Sequence, residues 1–358
     1  MMSEEVQPII RITRPCRVFK EHTSSILAVA VFRDGRRMVT GSQDKTLRLW
    51  DLKDGVVLKK MMGHHGRVEV VAVSGDGKSI ASGDFNGELI AWHGDTGESQ
   101  LTQAIKVHSD KLTSLDFSPD GKVLATVSWD KTIEFLSTTT WDVEGNPINT
   151  GERIFCVRYS PSGEVLAVAT ANDIQIWNPC STVPSSSSSS GGECIAKFRA
   201  VDISAWHVSL AWTPDGTRLF SAGSRSDPII REWDTSTWKQ VGDVWRDHHA
   251  DYICALAVNS TGTLVASASW DNLVRLWRLS DRRTIAIIKA PDQINGVTFS
   301  VDNKYILCAG KDADVTEWAV PEVALLEDTH KEQPSDVSSS PGPVVSPFHL
   351  AQGRAAKG

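Results

Sequence analysis

The chain has 358 residues, of which 41% are hydrophobic and 23% charged, a mix that supports a sizeable folded core. Its formal net charge of −7 excludes a broad phosphate-binding surface and leaves room only for a local basic patch. No apolar run approaches the length that a membrane-crossing helix needs.

The sequence starts MMSEEVQPII, with two acids and no apolar stretch of signal-peptide length. None of the six Cys residues shows CxxC spacing. The expectation is a soluble intracellular protein, cytoplasmic and/or nuclear, with reduced thiols and no disulfide between Cys180 and Cys194. Without a secretory route the sequon at Asn259-Ser260-Thr261 carries no information. Residues 1–8 are expected to form a flexible N-terminus.

From there the sequence repeats itself. TGSQDKTLRLW (Thr40 to Trp50), TVSWDKTIEFL (Thr126 to Leu136) and SASWDNLVRLW (Ser267 to Trp277) are variants of one phrase. His22, His64, His108 and His249 each stand 28 residues before Trp50, Trp92, Leu136 and Trp277. Between them a turn signal keeps its place as FRDG, SGDG, SPDG and NSTG, with SPSG, TPDG and SVDN in step elsewhere. Around the turns, short apolar or alternating runs such as ILAVAVF, RMVTG and TLRLW read as four short antiparallel strands per unit. The unit ends at Trp50, Trp92, Leu136, Trp177, Trp233, Trp277 and Trp318 define seven units, with an insertion in the long step from Trp177 to Trp233. That insertion, CSTVPSSSSSSGGEC, contains a Ser/Gly-rich stretch at 181–192 too polar to order itself. It reads as a loop between the third and fourth strands of unit 4. The Pro, Ser and charged residues of 323–358 read as a disordered C-terminal tail.

Units of about 42 residues, with Gly-His near the start and Trp-Asp near the end, resemble the WD-repeat β-propeller family. MGHHGRV, SPDGKVLATVSWDKT and GSQDKTLRLWD carry the resemblance, which covers roughly 9–322 as one domain and is weaker in units 4, 5 and 7. It implies an all-β fold, a closed seven-bladed β-propeller with one four-stranded antiparallel blade per unit. The seventh unit supplies only three strands, and PCRVFKEH near the N-terminus looks like the outer-strand segment VLKKMMGH. The N-terminal strand is therefore expected to complete the last blade, removing the open sheet edges.

Recurrent His, Ser and Asp invite a catalytic triad at His22, Ser42 and Asp44 or at His249, Ser269 and Asp271. A nucleophile site occurs once, whereas this set recurs, and no GxSxG elbow accompanies any copy. The resemblance implies instead a buried structural tetrad with the blade Trp. Its members would be His22, Ser42, Asp44 and Trp50, then His249, Ser269, Asp271 and Trp277, and, without a Trp, His108, Ser128 and Asp130. In unit 2, Asp84 and Asn86 stand at the Ser and Asp places. AVSGDGKS (72–79) approaches a phosphate loop but lacks its first Gly and falls at a hairpin turn. The His pairs at 64/65 and 248/249 lack partners at metal-ligand spacing. No catalytic residue, cofactor, metal or small-molecule substrate is expected.

The residue before the turn Asp has no part in the tetrad. The resemblance places it on the narrow face of the ring, together with the residues three and five after the repeat His. These places hold Phe85, Trp129, Phe155, Trp206, Tyr252 and Trp270 beside Arg67, Lys111, Arg153 and Lys311, against Glu69 alone. Exposed aromatics among cations are typical of binding hot spots. The expected function is a non-catalytic scaffold or adaptor that grips a peptide or loop of a partner protein, as part of a complex and away from membranes. The alternative is RNA or single-stranded nucleic acid, because aromatics among basic residues also stack bases; the acidic net charge weighs against it.

Overall fold

Turn chemistry cuts the chain into short strands. In SPDG the Ser118 hydroxyl donates to Asp120, Gly121 returns its amide to the Ser118 carbonyl, and the Val123 amide donates to the Ser118 hydroxyl. Gly121 sits at φ 71°, a left-handed conformation that favours glycine. The near-phosphate loop is the same device: Ser74 and Asp76 take the amides of Ser79 and Lys78, joining two antiparallel strands.

The structure, a computed structural model, describes residues 8–179, 192–199, 208–243, 245 and 249–326. Two short strands come first, β1 (Ile10–Ile12) and β2 (Arg17–Lys20). Blade 1 is β3 (Ile26–Val31), β4 (Arg37–Ser42), β5 (Thr46–Asp51) and β6 (Val57–Met62). Blade 2 is β7 (Val68–Val73), β8 (Ser79–Asp84), β9 (Glu88–His93) and β10 (Ile105–Lys106). Blade 3 is β11 (Leu112–Phe117), β12 (Val123–Ser128), β13 (Thr132–Ser137) and β14 (Val143–Asn149). Blade 4 is β15 (Ile154–Tyr159), β16 (Leu166–Thr170), β17 (Ile174–Asn178) and β18 (Glu193–Phe198). Blade 5 is β19 (Leu210–Trp212), β20 (Arg218–Ser221), β21 (Arg231–Asp234) and β22 (Lys239–Gln240). Blade 6 is β23 (Ile253–Val258), β24 (Leu264–Ser269), β25 (Leu273–Arg278) and β26 (Arg283–Lys289). Blade 7 is β27 (Ile294–Phe299), β28 (Tyr305–Gly310) and β29 (Asp314–Ala319), followed by a short helix, α1 (Glu322–Leu326).

The first strands touch in order, β3 to β7 and on to β27, which returns to β3, so the seven blades close into a ring. The N-terminal strand does complete the last blade: β2 pairs antiparallel with β29, Arg17 opposite Glu317 and Lys20 opposite Asp314. One feature exceeds the expectation. β1 adds a fifth, parallel strand to blade 6, with Ile10 opposite Ala286 and Ile12 opposite Ile288. The N-terminal segment thus straps blades 6 and 7.

Seven apolar clusters fill the seven spaces between neighbouring blades. Each blade Trp packs back onto the preceding blade; Trp92, for example, joins Phe32, Val39 and Met61. In blade 3, where Leu136 stands for Trp, the buried Trp141 lies in the same cluster and meets Phe117 edge-on at 6.5 Å. Residues 323–326, expected within the tail, belong to α1, and Ala324 is buried in the cluster between blades 6 and 7. β17 and β18 pair antiparallel on either side of the Ser/Gly run, which lies, except for Gly192, outside the described residues, as do residues 1–7 and 327–358.

Candidate partner-binding face

The repeat His ring anchors one end of each well-formed blade. In blade 1 the Trp50 indole N–H donates to Thr40 Oγ1 at 2.9 Å, and His22 Nε2 lies 2.8 Å from the same oxygen. His22 Nδ1 lies 2.8 Å from Asp44 Oδ2. An ionised carboxylate only accepts, so Nδ1–H is the donor there, and the Thr40 hydroxyl donates its proton to Nε2. The chain from indole to carboxylate is satisfied throughout. Burial would raise the Asp44 pKa, but bonds from His22, Thr46 and the Thr23 amide outweigh it and hold the carboxyl well below its usual range.

This geometry corrects the expected hydroxyl. The bridging groups are Thr40, Thr126 and Ser267, each two residues before Ser42, Ser128 and Ser269. Ser42 and Ser269 instead donate to loop carbonyls of Ser24 and Asp251, and Ser42, Ser128 and Ser269 accept the amides of Asp44, Asp130 and Asp271. They pin the turn, not the ring. The earlier placement of Asp84 and Asn86 in blade 2 is corrected as well. Ser82 bridges His64 and Trp92 at 2.7 and 2.8 Å, and Asp84 takes the acid's part, 3.4 Å from His64 Nδ1.

In blade 6, His249 Nδ1 lies 2.9 Å from Asp271, with the Arg275 guanidinium beside the same ring. Burial pushes the His249 pKa below the ordinary histidine value; Arg275 adds to this, while Asp271 pulls upward. For Asp271, burial raises the pKa, yet the His249 contact and the amides of Ala250 and Leu273 bring it down to about 2.

These knots hold two kinds of residue at one rim. The amide of Phe85 bonds the Arg67 carbonyl, Trp129 bonds Lys111, Trp270 bonds Tyr252, and Lys311 bonds Gln293. In every pair the residue before the turn Asp meets the residue three after the His position. The rim side chains form two groups. Over blades 2 to 4, Arg67 lies 4.3 Å from the Phe85 ring, and Trp129 has Lys111 Nζ at 3.8 Å and Arg153 Cζ at 4.9 Å. Phe155 meets Trp129 edge-on at 6.4 Å. On blade 6, Tyr252 meets Trp270 edge-on at 5.5 Å.

Not all the expected residues are open to solvent. Phe85 is 44% exposed, and Arg153 and Lys311 are exposed. Trp129, Phe155, Tyr252 and Trp270 are partly buried against each other and their cations. Lys111 is buried, which corrects its expected place as a free surface cation: its ammonium lies over the Trp129 ring. Burial holds that ammonium below the usual lysine range; Arg67 and Arg153 add to the effect, and Glu69 and Asp110 oppose it. Glu69 is ion-paired with Arg67. Trp206 lies outside the described residues. Position counting missed Arg225, which reaches Asp251 at 3.6 Å beside Tyr252; its irregular loop in blade 5 gives no repeat signal.

Among the described residues no group of three or more His, Cys, Asp or Glu is placed to hold a metal ion, and no helix is long and apolar enough to cross a membrane.

A family model described as "WD domain, G-beta repeat" matches residues 13–51, 55–93, 99–135, 192–234 and 239–278. The chain is 26% identical to a p21-activated protein kinase-interacting protein 1-like protein of Xenopus laevis, over 72% of this chain and 65% of the relative. It is 23% identical to autophagy-related protein 16 of Arabidopsis thaliana, over 78% of this chain and 53% of the relative. Striatin-4 of Mus musculus is 23% identical, over 87% of this chain and 44% of the relative. The chain thus spans less than two thirds of the length of each of these relatives.

Proposed function

The chain belongs to the WD-repeat family, and from that premise we propose that it is a non-catalytic interaction scaffold whose rim of aromatic and basic side chains holds a peptide or loop of a partner protein. The observation that carries this reading is the grouping of Phe85, Trp129 and Phe155 with Arg67, Lys111 and Arg153 at one end of three consecutive blades. Their turn positions lie outside the hydrogen-bonded tetrads, so the fold does not dictate these residue types. Aromatic rings and guanidinium groups in a pre-set arrangement supply contact area at little entropic cost. The net cation surplus favours a partner segment with acidic residues beside an apolar anchor. The relatives' names, a kinase-interacting protein among them, agree with work in complexes.

The test is affinity capture with mass spectrometry, comparing the wild type with the Trp129→Ala/Trp270→Ala double variant. The expected result is loss of a defined set of proteins from the variant. Retention of the same set would move the site off this rim.

A further inference from the structure

Three residues after the repeat His position, blades 2, 3 and 4 carry Arg67, Lys111 and Arg153 in succession, where blades 1, 6 and 7 carry Ser25, Tyr252 and Gln293. The fold therefore does not require a cation at this place. Each of the three is held in the same way, its carbonyl accepting the first amide after the second strand of its own blade: Phe85 to Arg67, Trp129 to Lys111 and Ala171 to Arg153. The side chains thus start from equivalent points of consecutive blades. Blade 4 has Ala171 where blades 2 and 3 have Phe85 and Trp129, and Arg153 leans back onto Trp129, 4.9 Å from the ring that Lys111 Nζ approaches to 3.8 Å. One indole gathers two cations.

Their charge is not balanced by the acids beside them. Glu69 pairs with Arg67, and Asp110 turns Oδ1 to the backbone amide of Lys111 at 2.7 Å. Among the described residues neither the Lys111 nor the Arg153 side chain has an ion-pair partner or a hydrogen-bond acceptor. Lys111 is nevertheless only 6% exposed, and a buried ammonium without an acceptor is costly. Burial lowers its pKa, and Arg67 and Arg153 lower it further against the pull of Glu69 and Asp110, so the three cations repel one another. The indole face attracts them without supplying a negative charge. An oxyanion with several acceptor oxygens turns this repulsion into charge-assisted hydrogen bonds.

We propose that Lys111 and Arg153, flanked by Arg67 and floored by Trp129, form a subsite for a phosphorylated serine or threonine in the partner's segment. The inference rests on the reading of the rim as a partner-binding surface. A phosphomonoester carries about −1.5 to −2 charge at pH 7, which matches the two cations left unpaired. A carboxylate or a nucleic-acid phosphodiester brings a single negative charge to the same place. The net charge of −7 also opposes a long polyanion and favours one local phosphate.

The probe is N-acetyl-O-phosphoserine N-methylamide, titrated into the full chain at neutral pH and low salt and followed by saturation-transfer NMR. Saturable binding is expected, and Lys111→Met and Arg153→Gln should each weaken it at least about tenfold. Lys53→Gln, in the exposed β5–β6 turn at the other end of blade 1, should leave it unchanged. No saturable binding to the wild type, or equal binding to the wild type and both rim variants, would overturn the proposal. So would two results with other ligands. N-acetylglutamate N-methylamide bound as tightly as the phosphoserine probe makes this a carboxylate subsite; oligouridylate bound more tightly and lost in the same variants makes it a nucleic-acid face. Affinity capture separates the inference from the reading it rests on. Proteins lost from Trp129→Ala/Trp270→Ala but still captured after phosphatase treatment of the extract sink the phosphate and leave the rim in place, whereas their retention by the double variant removes the rim reading whatever the probe shows.

Discussion

Phe19 meets Trp50 edge-on, ring centroids 5.8 Å apart, across the seam between the last blade and the first. Phe19 comes from the N-terminal strand β2 and Trp50 from β5, so this contact joins the strand that closes the ring to the blade that starts it. Both rings are about 1% exposed. Phe19→Ala should cost about 3–5 kcal/mol, as for other fully buried phenylalanines, measured by urea denaturation. A loss under 1 kcal/mol would mean that the ring closes without this seam.

Removing more of the segment separates its two roles. Deletion of residues 1–13 strips β1 from the outer edge of blade 6 and leaves closure in place. It is expected to expose β26 and promote association of copies through that edge. Deletion of residues 1–21 removes β2 as well, opens blade 7 and should lower the melting temperature sharply. If both truncations melt like the full chain, closure does not stabilise the protein.

The corrected tetrad makes its own prediction. Thr40→Val leaves His22 Nε2 and the Trp50 N–H without their shared partner in a buried place, at about 1–3 kcal/mol for each unpaired group. Ser42→Ala removes bonds to loop carbonyls at the edge of the turn and should cost about 1 kcal/mol. Chemical denaturation of the two variants should therefore rank them, Thr40→Val the less stable; the reverse order would restore Ser42 to the ring.

That error shows where the sequence stops being legible. The seven units, their short strands and the missing outer strand of the last one follow from turn spacing and strand pattern, which are local signals repeated along the chain, while the closed ring is what the resemblance to the WD-repeat family implied. Thr40 and Ser42 are both hydroxyl residues two apart on β4, facing the same side, and pattern alone does not rank their depth. The signal was present nonetheless: a hydroxyl stands ten residues before Trp50, Trp92 and Trp277 alike, at Thr40, Ser82 and Ser267. β1 was hidden for another reason, since three residues carry no period and its partner is more than two hundred residues away. The burial of Lys111 is likewise a tertiary fact, set by the Trp129 ring beneath its ammonium.

The pH dependence of stability follows from His249 and Asp271. The folded-state pKa of His249 is depressed, so the unfolded chain binds a proton more readily below about pH 6.5. The neutral ring's contribution is complete above that pH and is lost as pH falls through the folded value. Asp271, held at about 2, contributes stability above its unfolded value near about 4 and loses it as pH falls toward 2. Denaturation free energies measured from pH 8 to 5 should decline below about pH 6.5, and His249→Gln should flatten that decline whatever its cost at neutral pH. An identical slope in the variant would assign the loss to other groups.

Trp129 and Trp270 belong to none of the seven clusters between blades, although both are partly buried. Among the contacts that their removal takes from the fold are those of Trp129 with Lys111, Arg153 and Phe155 and that of Trp270 with Tyr252. Cation–π and ring-pair contacts of this kind are worth about 0.5–2 kcal/mol each. The Trp129→Ala/Trp270→Ala variant should thus unfold in one cooperative transition, a few degrees below the wild type, while the Phe19→Ala variant falls much further. A collapse of the double variant comparable to that of Phe19→Ala would mean that these indoles hold blades together, and the rim would then lose its standing as a surface built for a partner.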